Sequence, residues 1–575
     1  MNIRICLMAL LSAGNLLGTY AAEPEETTIK LLETSDVHGA YFPYDFITRQ
    51  PLKGSLARVS TYLNEQRKLY GEGNVLLMDN GDILQGQPVA YYYNFIDTAS
   101  THVCAAMLNY LKYDVGNMGN HDIETGHAVY DRWTSQCRFP MLGANIIDRN
   151  TNEPYLPPYR VLERDGVRIA VLGMITPAIP SWLPETMWSG LRFEDMETCA
   201  RRWVEAIRKK EHPDVLVGLF HAGPEGNLLD NVIENGSEAV ARNVPGFDVV
   251  FMGHDHRRLC KKIQNAAGDS VLLINPANAA RTLADVTLKI TRKDGRIVSK
   301  SVEGRLADVT SLPIDQAFMD TFAPQYQATL DFVSRKIGSI RSTITTRDAF
   351  FGPSAFIDLI HQLQLDITGA DISFCAPLSF NAEIKEGDIY MSDMFNLYKY
   401  ENLLYTMRLT GHEIKGFLEM SYALWTNQMQ SPDDHLLLLN EKDEGFGRLK
   451  NPSYNFDSAA GILYTVDVTQ PEGKKITITG LADGTPFDLN RTYTVAVNSY
   501  RGNGGGDLLT KGAGIPKEEL ASRIVFSTDK DLRYYLMERI EKAGTLDPHP
   551  LNQWRFVPEE WVKPAAERDR KVLFE

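Results

Sequence analysis

Five short motifs in the first half of the chain combine aspartate, asparagine and histidine. In chain order they are Asp36-x-His38, Gly81-Asp82, Gly119-Asn120-His121-Asp122, a single His221 and Gly253-His254-Asp255-His256. Each motif taken alone is typical of an ordinary turn, and a lone histidine is more often packed in a core. The ordered set, however, supplies the oxygen and nitrogen donors that divalent cations bind. It therefore predicts a two-cation site, and activated water at such a site hydrolyses phosphate esters.

These donors can be divided between two cations that lie roughly 3.5–4 Å apart. Asp82 is the predicted bridging carboxylate. The other predicted ligands form two triads, namely Asp36, His38 and His256 for one cation and Asn120, His221 and His254 for the other. A donor set of carboxylate, amide and imidazole groups without cysteine fits Mn, Zn, Co or Fe, and the residue types do not choose among these metals.

His121 directly follows the predicted ligand Asn120, which places it beside the reacting phosphate. We predict that it donates a proton or a hydrogen bond to the phosphoryl or leaving oxygen. An acidic neighbour would orient its ring and raise its pKa. Glu124, three residues further on, is the first candidate for that neighbour, and Asp122 is the second.

The elements that would position these motifs are short apolar runs, which alternate with amphipathic stretches. The predicted strands are 29–32, 75–78, 168–173, 215–220, 249–252 and 271–274. The clearest predicted helices are 55–70, 102–112 and 194–210. Asp36, Asp82, His221 and His254 each lie at or just after the end of such a strand, which is where open α/β sheets place their sites. The alternation of strands and helices predicts an α/β layered fold.

The length of 575 residues predicts more than one domain. We expect a first domain over 27–312, a linking helix over 313–336 and a second α/β domain over 337–555. In the second domain, Ser354 and Thr410 are predicted helix N-caps, and Glu413 completes a capping box with Thr410. Predicted strands at 462–468, 475–479 and 493–497 precede a glycine-rich loop over 498–507.

The composition is that of a soluble globular protein, with 43% hydrophobic and 23% charged residues. The net charge is −15 and no dense run of lysine and arginine occurs, so a long nucleic acid is excluded as a partner. Small anions remain compatible with this charge, because bound cations override it locally. The scattered cysteines predict mostly buried thiols, with one disulfide as an alternative. We expect a monomer.

The first 21 residues have the pattern of a secretory signal peptide. Arg4 precedes an apolar run from Ile5 to Leu17, and Thr19 and Ala21 are small residues at the positions that a signal peptidase requires. The apolar run is too short to span a bilayer comfortably. We therefore expect a periplasmic or secreted protein that has no membrane contact once the signal is removed; an uncleaved anchor is the alternative.

The ordered motifs resemble those of the calcineurin-like metallophosphoesterases. Nearly all of the chain after the signal resembles the bifunctional 2′,3′-cyclic-nucleotide 2′-phosphodiesterase/3′-nucleotidase and 5′-nucleotidase family. In the second half the resemblance rests on Gly352-Pro353-Ser354, on 389–409 and on Asn498-Ser499-Tyr500-Arg501 before Gly504-Gly505-Gly506-Asp507. It implies a calcineurin-like domain with central β-sheets flanked by helices, a C-terminal nucleotidase domain, two divalent cations and a small-molecule nucleotide substrate.

In that family the second domain provides two aromatic rings that sandwich the nucleobase, and the resemblance assigns this role to Tyr400 and Tyr500. Stacking on such rings contributes roughly 1–3 kcal/mol per base. The alternative is that both are half-buried tyrosines of a core. Asn381, Asp507 and, less directly, Ser354 are implied as contacts to the ribose or base.

One departure separates this chain from the 5′-nucleotidase branch of the family. That branch carries an arginine-ending glycine-rich segment where this chain reads Cys375-Ala376-Pro377-Leu378-Ser379-Phe380-Asn381. The resemblance therefore favours a 2′,3′-cyclic-nucleotide 2′-phosphodiesterase/3′-nucleotidase that releases nucleoside and phosphate. A 5′-nucleotidase or UDP-sugar hydrolase is the alternative within the enzymes, and an inactive envelope protein that binds nucleotide or metal is the alternative of another class.

Overall fold

The structure is a computed structural model that describes residues 24–575 except 227, 230, 231, 295 and 444–446. The predicted signal peptide lies outside the described residues. Within them, no helix combines the length and the apolar character that crossing a membrane requires. The five cysteines of the described part are free thiols, and three of these, Cys104, Cys199 and Cys375, are buried.

Two six-stranded sheets form the centre of the first domain. From edge to edge the first sheet contains Arg296–Asp308, Thr282–Lys293, Glu25–Thr34, Val75–Asp79, Val115–Asn117 and Met141–Leu142. The second contains Arg258–Gln264, Ser270–Pro276, Val249–Met252, Val215–His221, Val167–Ile175 and Tyr159–Arg164. Four neighbouring strands of each sheet are parallel, so their carboxyl ends lie along one edge of the sheet.

The sheets pack face to face, and helices cover their outer faces. Leu31 and Val115 of the first sheet share one buried apolar cluster with Val217 and Phe251 of the second. Separate clusters join the outer faces to the helices. The helices of this domain are Leu56–Tyr70, Pro88–Tyr91, Val103–Leu111, Asn120–Ile123, His127–Gln136, Ile179–Trp182, Met196–Glu211 and Ser237–Asn243. The predicted α/β layered fold is confirmed. Helices cover the outer faces because these strands are buried on both faces.

The segment between the domains contains two helices, where the sequence predicted one. They are Gln316–Thr321, capped by Asp315, and Ala323–Val333, which has a proline in its first turn. Proline lacks a backbone N–H and is best tolerated in the first turn of a helix, so a new helix begins there. Phe318 and Phe322 lie in the core of the first domain, so this segment packs onto that domain.

The second domain is built on a five-stranded mixed sheet. Its strand order is Ser458–Ala460, Ile372–Cys375, Thr492–Asn498, Leu403–Thr410 and Ile524–Asp531. Its longer helices are Ala355–Thr368, Met391–Leu397, Gly411–Trp425, Lys517–Arg523, Leu532–Ala543 and Glu559–Phe574. Tyr405 and Val495 face one apolar cluster, whereas Leu404 and Ala496 face another, as the alternation along strands requires. The capping predictions for Ser354 and Thr410 are confirmed.

The second domain continues past the predicted boundary at residue 555. The strand Trp554–Val557 pairs with Ile462–Asp467, and the helix Glu559–Phe574 follows it. Val562 of this helix is buried in the second-domain core. Although this helix has a polar sequence, the carboxylate of Asp569 is buried. It accepts hydrogen bonds from the backbone N–H of Leu437 at 2.9 Å and from His435 Nδ1.

We expect Asp569→Ala to destabilise the second domain by roughly 1–3 kcal/mol, because the buried N–H of Leu437 would lose its acceptor. The measurement is the urea unfolding midpoint followed by circular dichroism. Glu567→Ala on the exposed side of the same helix is the matched control and should leave the midpoint unchanged. Equal midpoints for both variants would show that the helix does not depend on this carboxylate.

Candidate functional site

The structure brings the seven predicted ligands to one edge of the paired sheets. The donor atoms form two groups, and within each group they all lie within 4.8 Å of one another. One group is Asp36, His38 and His256, and the other is Asp82, His221 and His254. Asn120 joins the second group, since its Oδ1 lies 3.1 Å from His221 Nε2 and 2.7 Å from His254 Nδ1. The two predicted triads lie together in this way, and Asp82, the predicted bridge, is grouped with the second triad. The role of each residue in metal binding stays a prediction.

Backbone conformation at the site is unusual. Five of the seven predicted ligands have positive φ angles: Asp36 at 51°, His38 at 49°, Asp82 at 55°, His254 at 73° and His256 at 57°. Residues other than glycine rarely adopt this left-handed region, although Asp, Asn and His do so more often than most. Such strain costs on the order of 1–3 kcal/mol per residue and concentrates at functional sites. The turns after the strands thus direct the side chains inward at an energetic cost.

Two glycines of the motifs are required by close packing. A Cβ on Gly119 would lie 2.2 Å from Oδ1 of Asp82, and a Cβ on Gly253 would lie 2.2 Å from Oγ of Ser35. Any larger residue would push apart the loops that carry the ligands. The glycines therefore set how closely the donor groups approach each other.

The donor atoms of the second group fit a cation. His221 Nδ1 donates to the backbone oxygen of Asn80 at 2.6 Å, which leaves the lone pair on its Nε2. That nitrogen lies 3.1 Å from Asp82 Oδ2 and 3.1 Å from Asn120 Oδ1, so electron-pair donors face one another in a buried space. Burial opposes a charge on His221, but Asp82 and Asp36 raise its pKa to about 10. The same negative potential that favours a proton there favours a metal ion.

The first group has the same character. His38 Nδ1 donates to Gln85 Oε1 at 3.2 Å, and its Nε2 lies 3.0 Å from Nε2 of His256. Nε2 of His256 is 3.3 Å from Oδ1 of the fully buried Asp36. Burial, together with His121 and His256, lowers the pKa of His38 to about 4 despite the nearby carboxylates. A neutral His38 ring therefore offers a lone pair at neutral pH.

His121 and Glu124 form the pair that the sequence favoured. His121 Nδ1 donates to Glu124 Oε2 at 2.5 Å. Burial disfavours the charged ring, but the charges of Asp82 and Glu124 raise the pKa of His121 to about 9. Asp122, the second candidate, instead accepts the backbone N–H groups of Asp82 and Gly119, each at 2.9 Å. Asp122 therefore joins two ligand loops and does not orient His121.

Two residues that no sequence motif indicated support His254. Glu234 Oε1 accepts a hydrogen bond from His254 Nε2 at 3.0 Å, which leaves Nδ1 to face Asn120. The Trp182 ring stacks on the His254 ring, with centroids 5.5 Å apart and 30° between their planes. Neither residue could be found from spacing, because each reaches the site from a different loop of the fold.

A cavity of about 370 Å³ lies between the metal-ligand groups and the second domain. Asn120, His121, Glu124 and His254 line it from the first domain. The second domain contributes the predicted residues Tyr400, Tyr500 and Asp507, together with Tyr454, which was not predicted. The ring of Tyr454 packs edge-on against Tyr500 at 6.4 Å, so three tyrosine rings surround one end of the cavity.

Two predicted substrate contacts are not at the cavity. Asn381 is exposed, and its Oδ1 accepts a hydrogen bond from Arg347 Nε at 2.5 Å. Leu378, three residues earlier, is the member of that segment that lines the cavity. Ser354 Oγ accepts the N–H of Ile357 as a helix cap and is nearly buried. Neither side chain lines this cavity, and a role of either in substrate binding stays a prediction.

Two family models match separate parts of the chain. The calcineurin-like phosphoesterase model matches residues 29–258. The model of the 5′-nucleotidase C-terminal domain matches residues 333–511. Together with the two groups of ligands, the first match implies a dinuclear site for divalent metals.

Relatives cover almost the whole chain. The 2′,3′-cyclic-nucleotide 2′-phosphodiesterase/3′-nucleotidase of Yersinia enterocolitica is 25% identical over 96% of this chain and 91% of its own length. The trifunctional nucleotide phosphoesterase protein YfkN of Bacillus subtilis is 25% identical over 97% of this chain, which spans 41% of that larger protein. A Staphylococcus aureus crystal structure ascribed to a 5′-nucleotidase shares the fold, with a TM-score of 0.76, 22% identity, and coverage of 92% of this chain and 100% of that one.

We expect Glu234→Gln to weaken binding of one cation by roughly 10- to 100-fold, because it removes the charged partner of His254. Metal content after titration with a chelator, measured by mass spectrometry, is the readout. Glu225→Gln, at an exposed position nine residues earlier, is the control and should retain the metal of the wild type. If both variants keep the metal equally well, Glu234 has no part in holding it.

Proposed function

The chain belongs to the calcineurin-like metallophosphoesterases that carry a 5′-nucleotidase C-terminal domain, and we propose that it is a nucleotide phosphoesterase with two divalent metal ions. The reaction proposed is that of a 2′,3′-cyclic-nucleotide 2′-phosphodiesterase/3′-nucleotidase, which releases nucleoside and phosphate. Relatives with that printed activity align over nearly the full chain. The metal is proposed to be Mn, Zn, Co or Fe, which suit a mixed oxygen and nitrogen donor set.

One observation carries this proposal: two predicted metal ligands, Asn120 and His254, line the same cavity as the aromatic rings. A base held between Tyr400 and Tyr500 would place its ribose phosphate towards Asn120 and His121. Burial raises the pKa of Tyr400 to about 12, so its phenol stays neutral and its ring presents an uncharged stacking surface. A packed core tyrosine would not border an open cavity.

The proposed chemistry divides between the ions and the protein. Bound divalent cations neutralise a phosphate and acidify a water molecule. The protonated ring of His121 can then give its proton to the oxygen of the departing nucleoside, as general acid. Glu124 holds that ring in place through Nδ1. Asp82 Oδ1 accepts the backbone N–H of His121 at 2.7 Å, which fixes the acid relative to the proposed bridging ligand.

The charges around the cavity support a substrate with a single phosphate. Among the described residues that line it there are four carboxylates, Glu124, Glu234, Glu401 and Asp507, and no lysine or arginine. Apart from the His121 ring, a second phosphate would meet no cationic side chain among the described lining residues, which opposes its binding. This arrangement favours a cyclic or 3′-monophosphate over a UDP-sugar.

Export is part of the proposal and rests on the amino-terminal pattern of Arg4, the apolar run and the small residues at 19 and 21. Expression of the full-length gene followed by cell fractionation and amino-terminal sequencing tests it. A mature protein that begins near residue 22 outside the cytoplasm supports export. An intact amino terminus in the cytoplasm would refute it.

The test of function is phosphate release from 2′,3′-cAMP, 3′-AMP, 5′-AMP and a UDP-sugar, each with added Mn²⁺, Zn²⁺, Co²⁺ or Fe²⁺. We expect the cyclic and 3′ substrates to be hydrolysed faster than the other two. Preference for 5′-AMP or the UDP-sugar would instead favour the other branch of the family. Hydrolysis of none of them, despite two bound metals, would leave an inactive nucleotide- or metal-binding protein.

We expect His121→Ala to lower kcat by roughly 10²–10⁴-fold, the usual contribution of a general acid, with both metal ions retained. Steady-state kinetics and metal analysis of the same sample provide the measurement. His127→Ala, six residues further on and outside the ligand set, is the matched control. Unchanged turnover in His121→Ala would remove this residue from the reaction.

We expect Tyr400→Ala to raise KM for nucleotides roughly 5- to 100-fold, since one stacking surface contributes about 1–3 kcal/mol. Tyr400→Phe retains the ring and should keep the KM of the wild type. The measurement is KM for 3′-AMP in all three proteins. A normal KM in Tyr400→Ala would show that the base binds elsewhere.

A further inference from the structure

The buried guanidinium of Arg533 contacts residues 398–401, which form the Tyr400 turn. Arg533 is the second residue of the helix Leu532–Ala543 and is 0% exposed. A fully buried charge is costly unless every donor finds a partner. Its surroundings therefore show what this residue holds in place.

The guanidinium of Arg533 binds both sides of the Tyr400 turn. Nε donates to the backbone oxygen of Tyr398 at 3.1 Å, and Nη2 donates to that of Lys399 at 2.9 Å. Nη1 donates to Glu401 Oε1 at 3.1 Å. Three residues flanking Tyr400 are thus fixed by one planar group, and the short ammonium of a lysine could not reproduce this geometry.

The flat faces of the guanidinium contact aromatic rings, one of them from the first domain. Its centre lies 4.1 Å from the centroid of Phe395 and 4.9 Å from that of Tyr91. Such cation–π contacts stabilise desolvated arginine. Tyr91 also donates to Asp531 at 3.3 Å, so the contact between domains has a polar part as well.

Tyr91 is connected to the metal-ligand loop by a short, well-bonded segment. It ends the helix Pro88–Tyr91, and the preceding Gln87 donates its backbone N–H to the carbonyl of His38 at 3.1 Å. Gln85 accepts from the ring of the same histidine at 3.2 Å. Contacts therefore run without a break from the ligand His38 through Tyr91 and Arg533 to the Tyr400 turn.

We propose that Arg533 is a positioning residue that sets the place of Tyr400 relative to the metal ligands, and so determines whether a nucleotide can bind base and phosphate at once. The inference rests on the proposed role of Tyr400 in base binding. It predicts that a change at Arg533 affects ligands that contain a base far more than phosphoesters that lack one.

The experiment compares Arg533→Lys with the wild type in two measurements. The first is the affinity for adenosine and uridine, measured by isothermal titration calorimetry, which requires no catalysis. The second is the ratio of kcat/KM for 3′-AMP to kcat/KM for p-nitrophenyl phosphate. We expect the affinity for nucleosides and this ratio both to fall at least about tenfold, as the loss of one stacking surface would cause.

Arg49→Lys is the matched control, because Arg49 also joins the domains but contacts the start of the helix Met391–Leu397 rather than residues 398–401. Its Nη2 donates to Ser392 Oγ at 2.8 Å, and its guanidinium lies 4.3 Å from the Tyr390 ring. We expect this variant to keep the nucleoside affinity of the wild type. An equal fall in both variants would mean that domain contact in general is responsible, which overturns the specific role of Arg533.

The remaining outcomes separate this inference from the proposed function. A wild type that binds adenosine but hydrolyses no nucleotide refutes the function, while weaker adenosine binding in Arg533→Lys would still support the inference. Nucleotide hydrolysis with unchanged nucleoside affinity and an unchanged ratio in the variant would overturn the inference alone. If Arg533→Lys does not fold, Tyr91→Leu tests the same connection, and an unchanged ratio there would overturn it.

Discussion

Electrostatic repulsion among converging electron-pair donors is the constraint on which the rest of this structure depends. Carboxylate, amide and imidazole groups face one another at about hydrogen-bond distance in a buried space, with Asp36 and His221 both 0% exposed. Without positive charge between them this arrangement is unfavourable, and burial amplifies the penalty. Left-handed backbone at five of the seven predicted ligands adds strain. Binding of two divalent cations would offset both the repulsion between the donors and the backbone strain.

The fold tolerates this site because its surroundings are rigid. Two parallel strand arrays, packed face to face, bring their carboxyl ends to one edge, and glycines let the loops approach closely. Asp122 adds a brace, since it accepts backbone N–H groups from Asp82, Ile83, Leu84 and Gly119. Asp122, the residue beside the proposed general acid His121, is therefore structural, and Glu124 is the carboxylate that contacts the imidazole.

In the proposed function, the second domain supplies binding surface and substrate selectivity, whereas the proposed catalytic groups lie in the first domain. Its tyrosines form one wall of the cavity, and in the proposed function the metal ions would bind the phosphate. The domains communicate through a buried arginine, aromatic rings and a short helix. A mononucleotide would suit this division, because the proposed contacts to its base and to its phosphate come from different domains.

The sequence alone determined the donor set, the strands that precede it and the layered α/β fold, because ligand chemistry and hydrophobic periodicity are local properties. It also placed Tyr400, Tyr500 and Asp507, through resemblance, at a cavity that the fold then forms. The sequence ranked Glu124 ahead of Asp122 as the partner of His121, and the structure has that contact. Only the tertiary structure showed that Glu234, Trp182 and Tyr454 join the site and that Asn381 lies away from the cavity. These contacts join residues whose loops meet only after the sheets and the two domains have packed. The separation of two residues along the chain does not predict whether they meet in the folded protein.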